Sequence, residues 1–161
     1  NTKPENLTAC VLERPRHETI INSLKKMNVK IKFISDGDVS GVISVSDNKS
    51  PVDIYLGIGG GPEGVLAAAA LKCLGCQMQT RLIFNNEEEK IRTKKLGIKD
   101  LNQKYNINDM VKDDVIFCAS GVTDGDIVKG IENFNDYFLS ETLVLHKSSN
   151  TNKIIKNKII K

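Results

Sequence analysis

Gly57-Ile58-Gly59-Gly60-Gly61-Pro62-Glu63-Gly64, continued at once by Val65-Leu66-Ala67-Ala68-Ala69-Ala70-Leu71-Lys72, decides the fold class of this chain. The apolar run 52–58 leads into it and reads as a strand. The alanines that leave it read as a helix, since alanine loses least on entering one. Pro62 stands where a first helical turn tolerates proline, because that backbone N–H has no intrahelical partner anyway. The stretch is therefore strand, glycine turn, helix start. Backbone N–H groups and the positive end of the helix dipole face into such a turn. It is a place to hold an anion, or an oxyanion already bound to a metal.

The glycines permit two readings. Gly59, Gly61 and Gly64 match G-x-G-x-x-G between a strand and a helix, the dinucleotide fingerprint. Glu63 argues against it, because a carboxylate in the first turn repels a pyrophosphate seated on those amides. A divalent cation between carboxylate and phosphate reverses that electrostatics. A plainer role for Glu63 is to complement the helix dipole at the surface.

Working outward, residues 7–12 read as a short buried strand, and 15–28 as a helix with Pro15 at its start and Ile20, Ile21, Leu24 and Met27 at helical spacing. Residues 29–34 alternate as a half-buried strand, 35–38 form a turn, and 39–45 begin a short helix or another strand. After the central unit, 77–84 reads as a strand. A charged helix opens at Asn85, with acids first and bases later, and reads as a solvated face. Residues 100–114 are polar with one short helical turn, 115–122 and 138–147 are strands, and 123–126 is a turn. Residues 152–161 hold Asn-Lys-Ile-Ile-Lys twice and read as an edge strand with a frayed basic tail. Strands alternating with helices predict an α/β layout. The polar clusters fall just after strands: Arg14 and Arg16, Asp36 and Asp38, Gly59 to Glu63, and Asp124. In open α/β sheets, ligands bind at the carboxyl ends of strands.

The chain has 161 residues, 40% of them hydrophobic, enough for one domain with a real core. The net charge of +3, scattered bases and 5% aromatics argue against a nucleic-acid partner. No apolar stretch approaches the ~20 residues of a membrane-spanning helix, and the polar start shows no signal peptide, so the cytoplasm is the expected location. The first residue is Asn rather than Met, which suggests a processed or cloned segment, or one half of a larger protein. Cys73-Leu74-Gly75-Cys76 lacks the second pair or nearby histidines that zinc requires. It also sits at the end of the predicted helix, where the dipole raises rather than lowers a thiol pKa. Small residues at a helix end is the plain reading.

Arg14 and Arg16, flanking Pro15, suit phosphate oxygens, since guanidinium forks bind them bidentately; two solvated arginines is the alternative. Asp36-Gly37-Asp38 sets two carboxylates beside a flexible glycine, suited to sugar hydroxyls or a divalent metal, or simply to an ordinary turn. Glu63 is the best metal-ligand candidate, its oxygens suiting Mg²⁺ or Mn²⁺. Two cations for a phosphate, two acids for hydroxyls and one acid for a metal fit a phosphorylated sugar. No Ser-His-Asp arrangement is apparent, and His17 and His146 have no obvious partner.

Arg14-Pro15-Arg16-His17, the run 34–41, the run 57–75 and Gly121-Val122-Thr123-Asp124-Gly125 resemble the class II, bacterial-type fructose-1,6-bisphosphatases, in the family's order and spacing over residues 7 to 147. The resemblance implies metal-dependent hydrolysis of the 1-phosphate of fructose 1,6-bisphosphate, in gluconeogenesis, with sedoheptulose 1,7-bisphosphate a further substrate. It implies a layered α/β sandwich of the sugar-phosphatase (fructose-1,6-bisphosphatase/inositol monophosphatase-like) type, of which this chain is the C-terminal part. It implies that Arg14, Pro15, Arg16, Asp36, Gly37, Asp38 and Gly60 contact substrate and that Glu63 binds Mn²⁺ or Mg²⁺. Metals there polarise the phosphoryl group and activate a water for in-line attack. Family members are about twice as long, with most metal carboxylates in an N-terminal half absent here. The expectation is thus a substrate-binding half at 1–150 and a low-complexity basic tail at 151–161. It would be inactive until the missing half is supplied, and part of a homo-oligomer when complete. Cys76, where the family usually has glycine, departs from the pattern. A nucleotide-binding module built on the glycine turn, and an inactive fragment with a structural or regulatory role, are the competing readings.

Overall fold

The structure, a computed structural model, describes residues 2–47 and 49–161, and of Asp38 the backbone only. It is mixed α/β, with parallel and antiparallel sheets. The first sheet is parallel, in the order β2-β1-β3, from β1 (Thr8–Leu12), β2 (Lys30–Ile34) and β3 (Ile54–Tyr55). Parallel central strands are covered on both faces, so they read as continuous apolar runs. In β1, Ala9, Cys10, Val11 and Leu12 are all buried. β2, on the edge, keeps Lys30 and Lys32 exposed.

The crossover from β1 to β2 is a 3-10 turn, Pro15–His17, running into α1 (Glu18–Lys26). Leu24 and its apolar neighbours Ile20 and Ile21 pack against Ala9, Val11 and Val29. α1 stops at Asn28, whose φ of 56° is left-handed, and the Val29 N–H closes back on the Leu24 carbonyl. α2 (Asp38–Ile43) crosses from β2 to β3, so residues 39–43 are helical and the strand alternative is excluded.

α3 (Gly61–Leu74) is the central helix. Its alanines let neighbours approach from two sides. Ala70 and Cys73 meet Phe117, Leu143 and Leu145, while Ala67 and Leu71 meet Val42 and Ile107. Gly75, at φ 72°, ends it in the left-handed conformation that only glycine adopts without strain. Cys73 is buried and Cys76 half-buried at this end, both as free thiols, and burial pushes each thiol up.

The antiparallel pair β4 (Gln79–Arg81) and β5 (Lys104–Asn106) brackets α4 (Glu87–Lys95). α4 buries no residue, as its charge pattern predicts. The strand expected over 77–84 is only three residues long, and β5 rises from a segment read as polar loop. α5 (Ile107–Met110) is the short helical turn expected in that polar segment, closed by a reciprocal capping box between Asn106 and Asp109.

The last sheet is antiparallel: β6 (Ile116–Ser120) and the two-residue β7 (Glu132–Asn133) flank one side of β8 (Tyr137–His146), and β9 (Thr151–Ile160) the other. β9 is the expected edge strand, and its pairing with β8 runs unbroken to Ile160 rather than fraying. Long alternation on β8 and an Asn150 turn at φ 51° set this register. No helix of the described residues is long and apolar enough to cross a membrane.

Candidate functional site

Because β1, β2 and β3 run parallel and side by side, their carboxyl ends lie at one edge of the sheet. Three of the four polar clusters therefore converge: 14–16 after β1, 36–38 after β2 and 57–63 after β3. The fourth does not join them by strand order. Asp124 follows β6 in the antiparallel sheet, and its carboxylate accepts the Gly130 N–H at 2.9 Å in a local turn.

His17 ties the first cluster to the third. It is completely buried, its Nδ1–H donates to the Leu12 carbonyl at 2.6 Å, and its Nε2 accepts the Ile58 N–H at 2.8 Å. A neutral imidazole has one donor and one acceptor nitrogen, so the Leu12 bond sets the tautomer that the Ile58 bond needs. The Ile58 carbonyl accepts instead from Arg16 Nε at 2.6 Å. The glycine turn is thus held by both side chains of the Arg16-His17 pair. Sequence reasoning left His17 without a partner; the only available signal was its place two residues beyond Pro15 in an otherwise exposed run.

Arg14 is exposed, and its guanidinium donates to the Glu13 carbonyl at 2.8 Å. Pro15 opens the 3-10 turn that presents Arg16. Asp36 is exposed, and its carboxylate accepts the Gly37 N–H at 2.8 Å. Gly37, at φ 81°, caps α2 in the left-handed region, and the Ser40 hydroxyl donates to its carbonyl. The side chain of Asp38, at the first position of α2, lies outside the described residues.

Gly60 is the N-cap of α3 and Glu63 the third helical residue. A Cβ at position 60 would run into the Glu63 carboxylate, so that carboxylate folds back over the start of the helix. It covers the ground where a pyrophosphate would meet the first amides, which counts against the dinucleotide reading. Gly59, Gly60 and Glu63 line a trough of about 700 Å³ bounded by β3, α3 and β4. Arg14, Arg16 and Asp36 do not line it; Arg16 meets its wall at Ile58. Among the described residues no group of three His, Cys, Asp or Glu side chains could hold a metal ion.

His146, also read as partnerless, has partners. Its Nε2 lies 2.8 Å from Asp114 Oδ2, and the Ser149 hydroxyl lies 2.8 Å from its Nδ1. A Ser-His-Asp arrangement thus exists, contrary to expectation. It lies on the turn between β8 and β9, where Asp114 also accepts from the Ser148 N–H and hydroxyl.

The family model described as "Bacterial fructose-1,6-bisphosphatase, glpX-encoded" matches residues 1–159. A protein of Synechococcus sp. strain JA-3-3Ab, named D-fructose 1,6-bisphosphatase class 2/sedoheptulose 1,7-bisphosphatase, is 34% identical over 163 residues, covering 93% of this chain and 47% of the relative. A Haemophilus influenzae protein named fructose-1,6-bisphosphatase class 2 is 38% identical over 166 residues, covering 94% of this chain and 50% of the relative. The chain spans about half the length of the curated relatives it matches.

Proposed function

Because this chain belongs to the bacterial, class 2 fructose-1,6-bisphosphatase family, we propose that it is the substrate-binding half of a metal-dependent phosphoric monoester hydrolase. The reaction is removal of the 1-phosphate of fructose 1,6-bisphosphate, in gluconeogenesis, with sedoheptulose 1,7-bisphosphate as a second substrate. The observation that carries the reading is the bond from Arg16 Nε to Ile58 O, which brings a guanidinium onto the glycine turn that bears Glu63.

In this reading Arg14 and Arg16 bind phosphate oxygens, since charge-assisted guanidinium bonds are the strong ones for such groups. Pro15 sets the turn between them. Asp36 and Asp38, separated by Gly37, accept from sugar hydroxyls, and Gly60 lets the substrate approach the backbone closely. Glu63 is one ligand of Mg²⁺ or Mn²⁺. A hard divalent ion takes about six oxygens, and the described residues bring no cluster able to hold one. The described residues alone therefore do not fit the ion, and in this reading the remaining carboxylates come from the other half of the relatives' length. The fold of the whole is a layered sandwich of the sugar-phosphatase type, with residues 1–150 as its C-terminal part and 151–161 as an appended basic strand. The complete enzyme works in the cytoplasm as a homo-oligomer.

Thermal unfolding of a polypeptide uniting this chain with the rest of the relatives' length tests the reading. Fructose 1,6-bisphosphate should raise Tm, and Mn²⁺ should enlarge the shift unless Glu63 is replaced by Gln. Stabilisation by NAD(H) without metal, and none by the sugar bisphosphate, would overturn it.

A further inference from the structure

α4 (Glu87–Lys95) is nine residues long and buries none of them. Isolated helices of that length are marginal in water, and most helical stability comes from packing an apolar face. Glu89, Lys90 and Thr93 are half-buried and mark the side turned to the rest of the chain. The opposite side is centred on Ile91, the middle residue of the helix, which is 53% exposed. Residues three and four apart are neighbours on a helix surface. Glu88 stands one turn before Ile91 and Lys95 one turn after it, and both are exposed. The other two acids of the helix are engaged locally: Glu87 pairs with Lys90, and Glu89 accepts from the Asn85 N–H. Among the described residues Glu88 and Lys95 form no ion pair. The outward face therefore reads acid, isoleucine, base along the helix axis.

A helix with acids first and bases last complements its own dipole, and that alone accounts for the charges. It does not account for a branched apolar side chain at the centre of the solvent side, where propensity favours Ala, Lys or Glu. A two-fold axis accounts for both, because in such a contact one patch meets itself. With two copies of α4 antiparallel across the axis, Ile91 meets Ile91 at the middle. Glu88 of each copy then faces Lys95 of the other. A parallel pairing would set Glu88 on Glu88 and Lys95 on Lys95, so the charges also choose the direction.

We propose that α4 is a self-association surface, pairing antiparallel with α4 of a second copy of this chain about a two-fold axis at Ile91. The inference rests on the proposed function only for the homo-oligomer, to which it gives a place in the fold. Two helices of this length bury less than the ~1,200 Å² of a standard complex, so the contact is of the transient class.

The test is sedimentation equilibrium of the full chain, which registers association and not hydrolysis, so its failure leaves the phosphatase reading standing. The unaltered chain should show a monomer–dimer equilibrium. Glu88→Lys sets bases against bases across the axis and Lys95→Glu sets acids against acids, so each alone should weaken the dimer at least about 10-fold. An equimolar mixture of the two variants should associate within about threefold of the unaltered chain, because every pair across the axis then joins Lys with Glu. Helix propensity and the dipole act within one copy and cannot produce that rescue. Ile91→Ala improves helix propensity and should still weaken the dimer at least about 10-fold. A chain that stays monomeric up to about 1 mM overturns the proposal. So does a dimer that the single reversals leave unchanged, or one that the mixture fails to rescue.

Discussion

His17 Nε2 accepts the backbone N–H of Ile58 at 2.8 Å, across 41 residues, from a position with no solvent exposure. This bond, with the one from His17 Nδ1 to Leu12, fixes how the end of β1 stands against the glycine turn. Replacing His17 by Phe keeps much of the volume and strands the Leu12 carbonyl and the Ile58 amide. Each buried unsatisfied polar group costs about 1–3 kcal/mol. Urea unfolding of His17→Phe should show a loss of about 2–4 kcal/mol; a loss near zero would mean the strut carries nothing.

Gly37 is in the left-handed region at φ 81°, and a Cβ there would also press on the Ser40 hydroxyl. Gly37→Ala should destabilise by about 1 kcal/mol or more, since alanine gains in the unfolded chain but is strained in the native turn. Gly37→Asn should cost less, because Asn tolerates this conformation. Equal stability of all three chains in denaturant would remove the argument for glycine at this turn.

Gly64 differs from Gly37 in having an ordinary helical backbone and open space around it. Gly64→Ala should therefore stabilise the chain by about 0.5–1 kcal/mol. Differential scanning calorimetry of the chain reads this directly, and a destabilised variant would contradict the open space.

Asp114 is held well below the usual carboxylate range, first by the Ser148 hydroxyl and then by His146. Glu141 is held low chiefly by the Lys129 N–H and then by Lys156, 3.0 Å away. A carboxyl whose folded pKa is depressed stabilises the fold above its unfolded pKa and loses that contribution as pH falls through the folded one. The β8–β9 sheet should therefore weaken below about pH 4, the range where unfolded carboxyls protonate. Amide exchange at 147–151 followed from pH 6 to pH 3 checks it, and Asp114→Asn should flatten the profile.

Arg16 donates through Nε to Ile58 O, a bond that lysine cannot reproduce with the same planar fork. In the completed enzyme, Arg16→Lys should raise KM for fructose 1,6-bisphosphate by about 10–100-fold, the equivalent of one hydrogen bond to a charged group. Steady-state kinetics with an unchanged KM would remove Arg16 from the phosphate site.

Much of the parallel sheet was legible because its signals are local. The run 8–12 is apolar throughout, Pro15 and Pro62 mark helix starts, and Gly75 marks an end. β3 is shorter than its apolar run implies: its register with β1 covers Ile54 and Tyr55, although the Asp53 and Leu56 N–H groups also donate to the Thr8 and Cys10 carbonyls of β1. β5 and β7 escaped notice because each is three residues or fewer and owes its existence to a partner far away in sequence.

The amino-acid order by itself determined the strand-turn-helix units, the positions of Arg14, Arg16, Asp36 and Glu63 just after strands, and a resemblance that the family match bears out. Those are properties of neighbours along the chain. Only the tertiary structure decided that β1, β2 and β3 bring three polar clusters to one edge and leave Asp124 to another sheet. It alone turned His17 from an unassigned side chain into the strut between β1 and the glycine turn. Strand order and long-range hydrogen bonds depend on which surfaces bury together, and that is settled between segments 41 residues apart rather than within any one of them.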